Sequence, residues 1–267
     1  MQTKPGQIKP SQTKPGKKRF WTLFIALLFI APLFFSYGVY SITEAHGLQW
    51  WQARTDSTGM APDPRSTTDA IVQVYAARAF SWRGVFGVHT WFAVKPSNAR
   101  SYTRYEVFGW GVRRGRPALL VRSDVAPDGY WFGSQPELLV DLRGGAEIDR
   151  IIQHIDQAAR AYPHMHEYRL WPGPNSNTFT AFVARQVPEL RLDLPPTAIG
   201  KDYIAGGGIL ATSPSGTGAQ LSVFGLAGLM VGLEEGIEIN LLGLTVGIDL
   251  LRPALKLPGL GRVGMRP

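Results

Sequence analysis

The residues with the most chemical promise lie at 169–179, Arg-Leu-Trp-Pro-Gly-Pro-Asn-Ser-Asn-Thr-Phe. A strand is expected to end here. Pro-Gly-Pro forces a turn, and Asn175-Ser176 opens a helix. A side chain at a helix start sits beside unpaired backbone N–H groups and the positive end of the helix dipole. Such donors stabilise an oxyanion, so a nucleophile at Ser176 makes chemical sense. The plainer reading is that Asn175 or Ser176 is simply an N-cap, and spacing alone favours the cap. His89, in Gly-Val-His-Thr-Trp, sits inside an apolar strand, where a histidine is usually a packed, hydrogen-bonded side chain. His164-Met165-His166-Glu167 places two imidazoles on one strand face but defines no third ligand, so no metal is expected. Arg113, Arg114 and Arg116 form a basic cluster. It suits an anionic group such as a phosphate or carboxylate, or is an ordinary exposed turn.

These groups need a scaffold. Residues 70–76, 88–94, 102–110, 118–122 and 138–142 read as strands, the second alternating most clearly between Gly87 and Pro96. Residues 146–162 change period: Ile148, Ile151, Ile152, Ile155 and Ala159 share one helical face. A strand is expected at 167–171. A helix is expected at 178–187, with Phe179, Phe182 and Val183 on one face and Pro188 as its stop. Residues 70–203 thus form an α+β domain with an antiparallel sheet and helices. Residues 204–267 are glycine-rich, with short apolar runs cut by Gly225, Gly228, Gly232, Gly236, Gly243 and Gly247. A β-hairpin or meander is expected there, packed on the domain or lying at a bilayer surface.

The net charge of +8 is local. Residues 1–19 hold six basic residues and no acidic one, leaving 22 basic against 20 acidic residues elsewhere. The basic balance therefore belongs to a tail, and no nucleic-acid partner is expected. That tail repeats Gln-Thr-Lys-Pro-Gly at 2–6 and 12–16, a composition expected to be disordered. Residues 20–40 contain no charge. As a helix rising about 1.5 Å per residue they span roughly the 30 Å hydrocarbon core. Trp21, Tyr37 and Tyr40 stand where interfacial aromatics belong, and the preceding positive cluster keeps the amino terminus cytoplasmic. The apolar run exceeds a cleavable signal's usual core, so an uncleaved single-pass anchor is expected at 20–40 in the inner membrane, with the remainder exported. Residues 41–69 read as a linker.

The chain lacks cysteine, which excludes disulfides, thiolate metal sites and a cysteine nucleophile. Walker-type loops, G-x-S-x-G and His-Glu-x-x-His are missing. Gly206-Gly207-Gly208 is flexible backbone rather than a nucleotide cradle, and no cofactor is expected.

A strand histidine followed about 85 residues later by Asn-Ser-Asn-Thr-Phe at a helix start resembles the circularly permuted papain-like folds. These include the NlpC-related peptidases, the lecithin retinol acyltransferase group and the PPPDE isopeptidases. The segments His89-Thr90-Trp91, Gly109-Trp110-Gly111, 171–179 and 198–202 are similar to the bacterial family called domain of unknown function 3750, over roughly 70–205. The papain-like resemblance implies a hydrolase or acyltransferase acting on amides or esters outside the membrane, such as peptidoglycan peptides or lipid acyl groups. Ser176 then stands where those enzymes carry cysteine. A serine hydroxyl needs a general base, so His89 is expected within reach of it, oriented by Glu106 with Asn175 or Tyr105 behind. The alternative is a domain without chemistry, serving as a membrane-tethered binding module.

Overall fold

The computed structural model describes residues 16–43 and 49–265. The basic tail lies outside the described residues as far as residue 15. Helix α1 (Gly16–Thr43) is longer than the charge-free run and contains Pro32. Its stretch Arg19–Ile42 has a mean hydropathy of 2.1, and little of it is buried. It has the length and composition of a membrane anchor or a signal sequence.

Five strands form the first antiparallel sheet: β1 (Ala70–Arg78), β2 (Val88–Lys95), β3 (Thr103–Val107), β4 (Leu119–Arg122) and β5 (Glu137–Gly144). Their order is β4-β3-β2-β1-β5. Helices α2 (Ala146–Arg160) and α3 (Ser176–Gln186) cover one face. Val72, Val74, Phe92, Val94 and Tyr105 meet Ile151, Ile155, Phe179 and Val183 there in one buried cluster. Ile71, Tyr75, Trp91 and Ala93 point the other way into a second cluster with Trp131. Both faces of β1 and β2 are thus buried, which explains their nearly continuous apolar sequence.

The second face is roofed by loops. The Asp128 carboxylate accepts bonds from Ser57 Oγ (2.7 Å), Thr58 Oγ1 (3.0 Å) and the backbone N–H groups of Met60 (2.6 Å) and Ala61 (3.1 Å). Those bonds fasten part of the segment expected to be a linker to the loop after β4. Its polar composition concealed this, because its partner lies about 70 residues away in sequence.

Two other boundaries move. Residues 167–171 form no strand: they sit among turns, with Arg169 N–H bonded to Pro174 O at 2.7 Å instead of to a ladder. Prolines at 163, 172 and 174 hem the segment in. Helix α3 begins two residues earlier than its apolar spacing suggests, because Asn175 closes a capping box with Thr178.

The glycine-rich region is a seven-stranded antiparallel meander, in chain order from one edge to the other. Its strands are β6 (Leu210–Thr212), β7 (Gly218–Val223), β8 (Ala227–Gly232), β9 (Gly236–Leu241), β10 (Leu244–Asp249), β11 (Ala254–Leu257) and β12 (Gly261–Gly264). The face turned toward residues 188–205 is polar. Glu238 is buried between Lys201 (2.5 Å) and Lys256 (2.7 Å), and Lys256 also meets Asp193 (2.6 Å). Asp202 accepts from Gln220 Nε2 (2.7 Å) and Asn240 Nδ2 (2.6 Å). Removing one member of a buried ion cluster strands the others without water. Glu238→Gln is therefore expected to destabilise the chain by about 3 kcal/mol or more in denaturant unfolding. A loss below about 1 kcal/mol would show that this cluster does not clamp the meander.

Candidate functional site

Pleating sends successive residues of a strand to opposite faces. In β2 this separates the expected pair. Thr90 points to the helical face, where its hydroxyl donates to Asn177 Oδ1 (3.0 Å) and Thr180 Oγ1 (2.8 Å) of α3. His89 and Trp91 point to the loop-roofed face, His89 stacking on Trp131 with centroids 3.5 Å apart. His89 and Ser176 therefore stand on opposite sides of the sheet, and the expected base–nucleophile pair is not formed. Sequence patterning left this open, because Trp91 and Phe92 make both faces of β2 apolar.

Ser176 and Asn175 are both buried at the start of α3. Asn175 Oδ1 accepts from Asn177 N (3.0 Å) and Thr178 N (3.1 Å), while its amide donates to Leu170 O and Ile199 O (both 3.0 Å). All its capacity goes into holding this turn against residues 199–200. Gly200, at φ +102°, lies so close that a Cβ there would collide with the Asn175 amide. Tyr105 also faces the helices, donating to Asp156 Oδ1 (3.1 Å). Asn175 and Tyr105 are thus structural neighbours of α3 and α2, away from His89.

His89 and Glu106 do come together. The imidazole Nε2 donates to Glu106 Oε2 over 3.4 Å, since the carboxylate can only accept. Glu106 also receives Arg104 through Nε (3.0 Å) and a terminal nitrogen (2.8 Å), and Arg122 through a terminal nitrogen. Arg104 and Glu106 are two apart on β3, hence on one face, with Arg122 reaching from β4. Sequence reasoning missed both arginines, although opposite charges at i and i+2 in a strand are a visible signal for such a pair. Arg104 lies 4.1 Å over the Trp91 ring and donates to Ala126 O (3.1 Å).

Beside this cluster opens a cleft of about 500 Å³. Arg104, Arg116 and Arg122 line it, with Phe108, Trp110 and Trp131 as aromatic wall. Arg122 Nε is buried and has no hydrogen-bond partner among the described residues. Arg116, part of the expected basic cluster, thus reaches the cleft, whereas Arg113 and Arg114 are exposed on an adjoining 3₁₀ turn outside its lining. His164 donates to Ala205 O at 3.0 Å. The described residues contain no group of three or more side chains suited to hold a metal.

Burial would raise the Glu106 carboxyl, but the bonds and charges of His89, Arg104 and Arg122 prevail and hold it at about 2, against an ordinary 4.5. Burial lowers the His89 imidazole below its ordinary 6.5, and Glu106 offsets this only in part. Both depressed values make the folded state release protons that the unfolded chain keeps. The His89 contribution is present above pH 6.5 and fades on acidification. The Glu106 contribution is present above pH 4.5 and is lost toward about 2. Glu106→Gln should cost about 3–5 kcal/mol at neutral pH by stranding two guanidinium groups, and should flatten the acid limb of the stability curve below pH 4.5. An unchanged acid limb in the variant would contradict this assignment.

No curated protein and no solved structure matches this chain. The family described as "Protein of unknown function (DUF3750)" matches residues 69–203. That span begins at β1, contains the His89–Glu106 cluster, the cleft arginines and the α3 cap, and ends at the Lys201-Asp202 clamp on the meander. The chain belongs to the DUF3750 family.

Proposed function

We propose that the chain is a membrane-tethered binding module, held by α1 in the inner membrane with its domain on the outer side. Its cleft receives an anionic group, a phosphate or carboxylate, of an envelope lipid or peptidoglycan component. The observation that carries this reading is the Arg122 guanidinium, fixed by Glu106 at one nitrogen while its buried Nε has no partner among the described residues at the cleft wall. A buried donor without an acceptor is costly, and the Arg122 side chain, 34% exposed at the cleft, keeps guanidinium surface open to an incoming anion. Three guanidinium groups, Arg104, Arg116 and Arg122, face two carboxylates, Glu106 and Asp124. The aromatic wall supplies an apolar surface for the rest of the ligand. The order of a histidine strand before an Asn-Ser helix start supports kinship of plan with the permuted papain-like folds. The separation of His89 from Ser176 supports binding over hydrolysis.

The cleft's own Trp110 and Trp131 report occupancy. Titrating the full chain in detergent with inorganic phosphate should change their fluorescence saturably, and raising salt should weaken the effect. Arg116→Gln, at an exposed position, should weaken binding about tenfold without altering the unfolding curve. Equal phosphate affinity in the variant and the parent chain would reject the cleft as the anion site. Saturable labelling of Ser176 by a serine-directed activity probe would instead revive the hydrolase reading.

A further inference from the structure

The meander is inside out. Its strands carry four charged residues, Glu238, Asp249, Lys256 and Arg262, and the pleat turns all four toward the domain. The opposite face is aliphatic. Val231, Ile237, Ile248, Leu255 and Val263 stand side by side in register across β8, β9, β10, β11 and β12. Each is between 45% and 51% exposed. Five strands about 4.8 Å apart make that row about 19 Å long. A parallel row, Leu221, Leu229 and Ile239, lies alongside. A sheet with one face in water normally shows it polar residues. An apolar face this wide marks a contact surface.

We infer that this face lies on the acyl-chain region of a lipid bilayer, docking the domain flat on the membrane that α1 enters. The contact between α1 and the meander sets the depth. Ser36 donates to Gly259 O (3.1 Å), in the loop joining β11 and β12, and to Val85 O (2.8 Å). A Cβ on Gly259 would also press on Leu33. Leu33 and Ser36 belong to the charge-free run, which continues to Thr43 before Glu44. Ser36 is seven residues inside that end, about 10 Å along a helix. The loop thus meets α1 at the depth of about 5–10 Å at which interfacial elements bury their apolar faces. The sheet is open, with β6 and β12 as edges. Unpaired edge groups forbid it from spanning hydrocarbon, so a face-on position is the one that fits. A second copy of the chain seated on this face is the competing occupant.

The chain has no cysteine, so single introduced thiols report single places. Full-length Ile239→Cys and Leu255→Cys, each carrying an environment-sensitive fluorophore, are reconstituted into phosphatidylcholine–phosphatidylglycerol vesicles with and without doxyl-labelled lipid. Arg113→Cys, exposed on the five-stranded domain, is the reference. Both meander labels should be quenched by doxyl lipid at least threefold more than the reference. Quenching no greater than the reference at both positions would overturn the inference. So would energy transfer between labels on two copies without lipid quenching, which would assign the face to a dimer. Two positions guard against one substitution disturbing the sheet.

Discussion

Successive side chains of a β-strand leave on opposite faces, and that parity governs both sheets of this molecule. In β2 it sends Thr90 to α3 and His89 to the loop-roofed cleft. In β9 it sends Glu238 and Asn240 inward and Ile237, Ile239 and Leu241 outward. A shift of one residue in either strand would exchange the two sets. The register of five paired strands around β2 and seven around β9 prevents that shift. Where chemistry is possible, and which surface stays apolar, follow from it.

The two buried charge clusters hold the parity in place. Glu106 gathers His89, Arg104 and Arg122 on one face of the first sheet. Glu238 gathers Lys201 and Lys256 beneath the meander. Buried ion pairs are often no more stabilising than apolar packing of equal volume. The charges inside the meander are better understood by what they allow: aliphatic residues on the outside of a sheet that is still anchored firmly on its inner side. The family match ends at Tyr203, just past Lys201 and Asp202, the residues that hold this attachment.

Much of the scaffold was legible in the sequence. Short apolar runs bounded by turn residues, alternating in places, located β1 to β5, and the Ile148–Ile155 spacing located α2 with its buried face. A cap at Asn175 or Ser176 was legible because an Asn-Ser pair after Pro-Gly-Pro is a local helix-start signal, and the structure places it at Asn175. What was hidden depends on long-range choices. Both faces of β2 are apolar, so nothing local decided whether His89 or Thr90 would meet α3. In the meander the alternation of Ile237-Glu238-Ile239-Asn240-Leu241 is plain, but the usual rule of apolar residues inward selects the opposite face from the observed one. The roof over His89 depends on Asp128 binding residues 57–61, a contact no window of sequence reveals.

The separation of His89 from Ser176 is the claim on which the functional reading turns, and a chain without cysteine allows a direct test. A disulfide needs its two side chains pointing toward each other with Cα atoms within about 7 Å. Under mild oxidation, Thr90→Cys/Thr180→Cys should form an intramolecular disulfide, since those hydroxyls are 2.8 Å apart. His89→Cys/Ser176→Cys should remain reduced, as read by intact mass after alkylation. A disulfide between positions 89 and 176, with none between 90 and 180, would contradict the account.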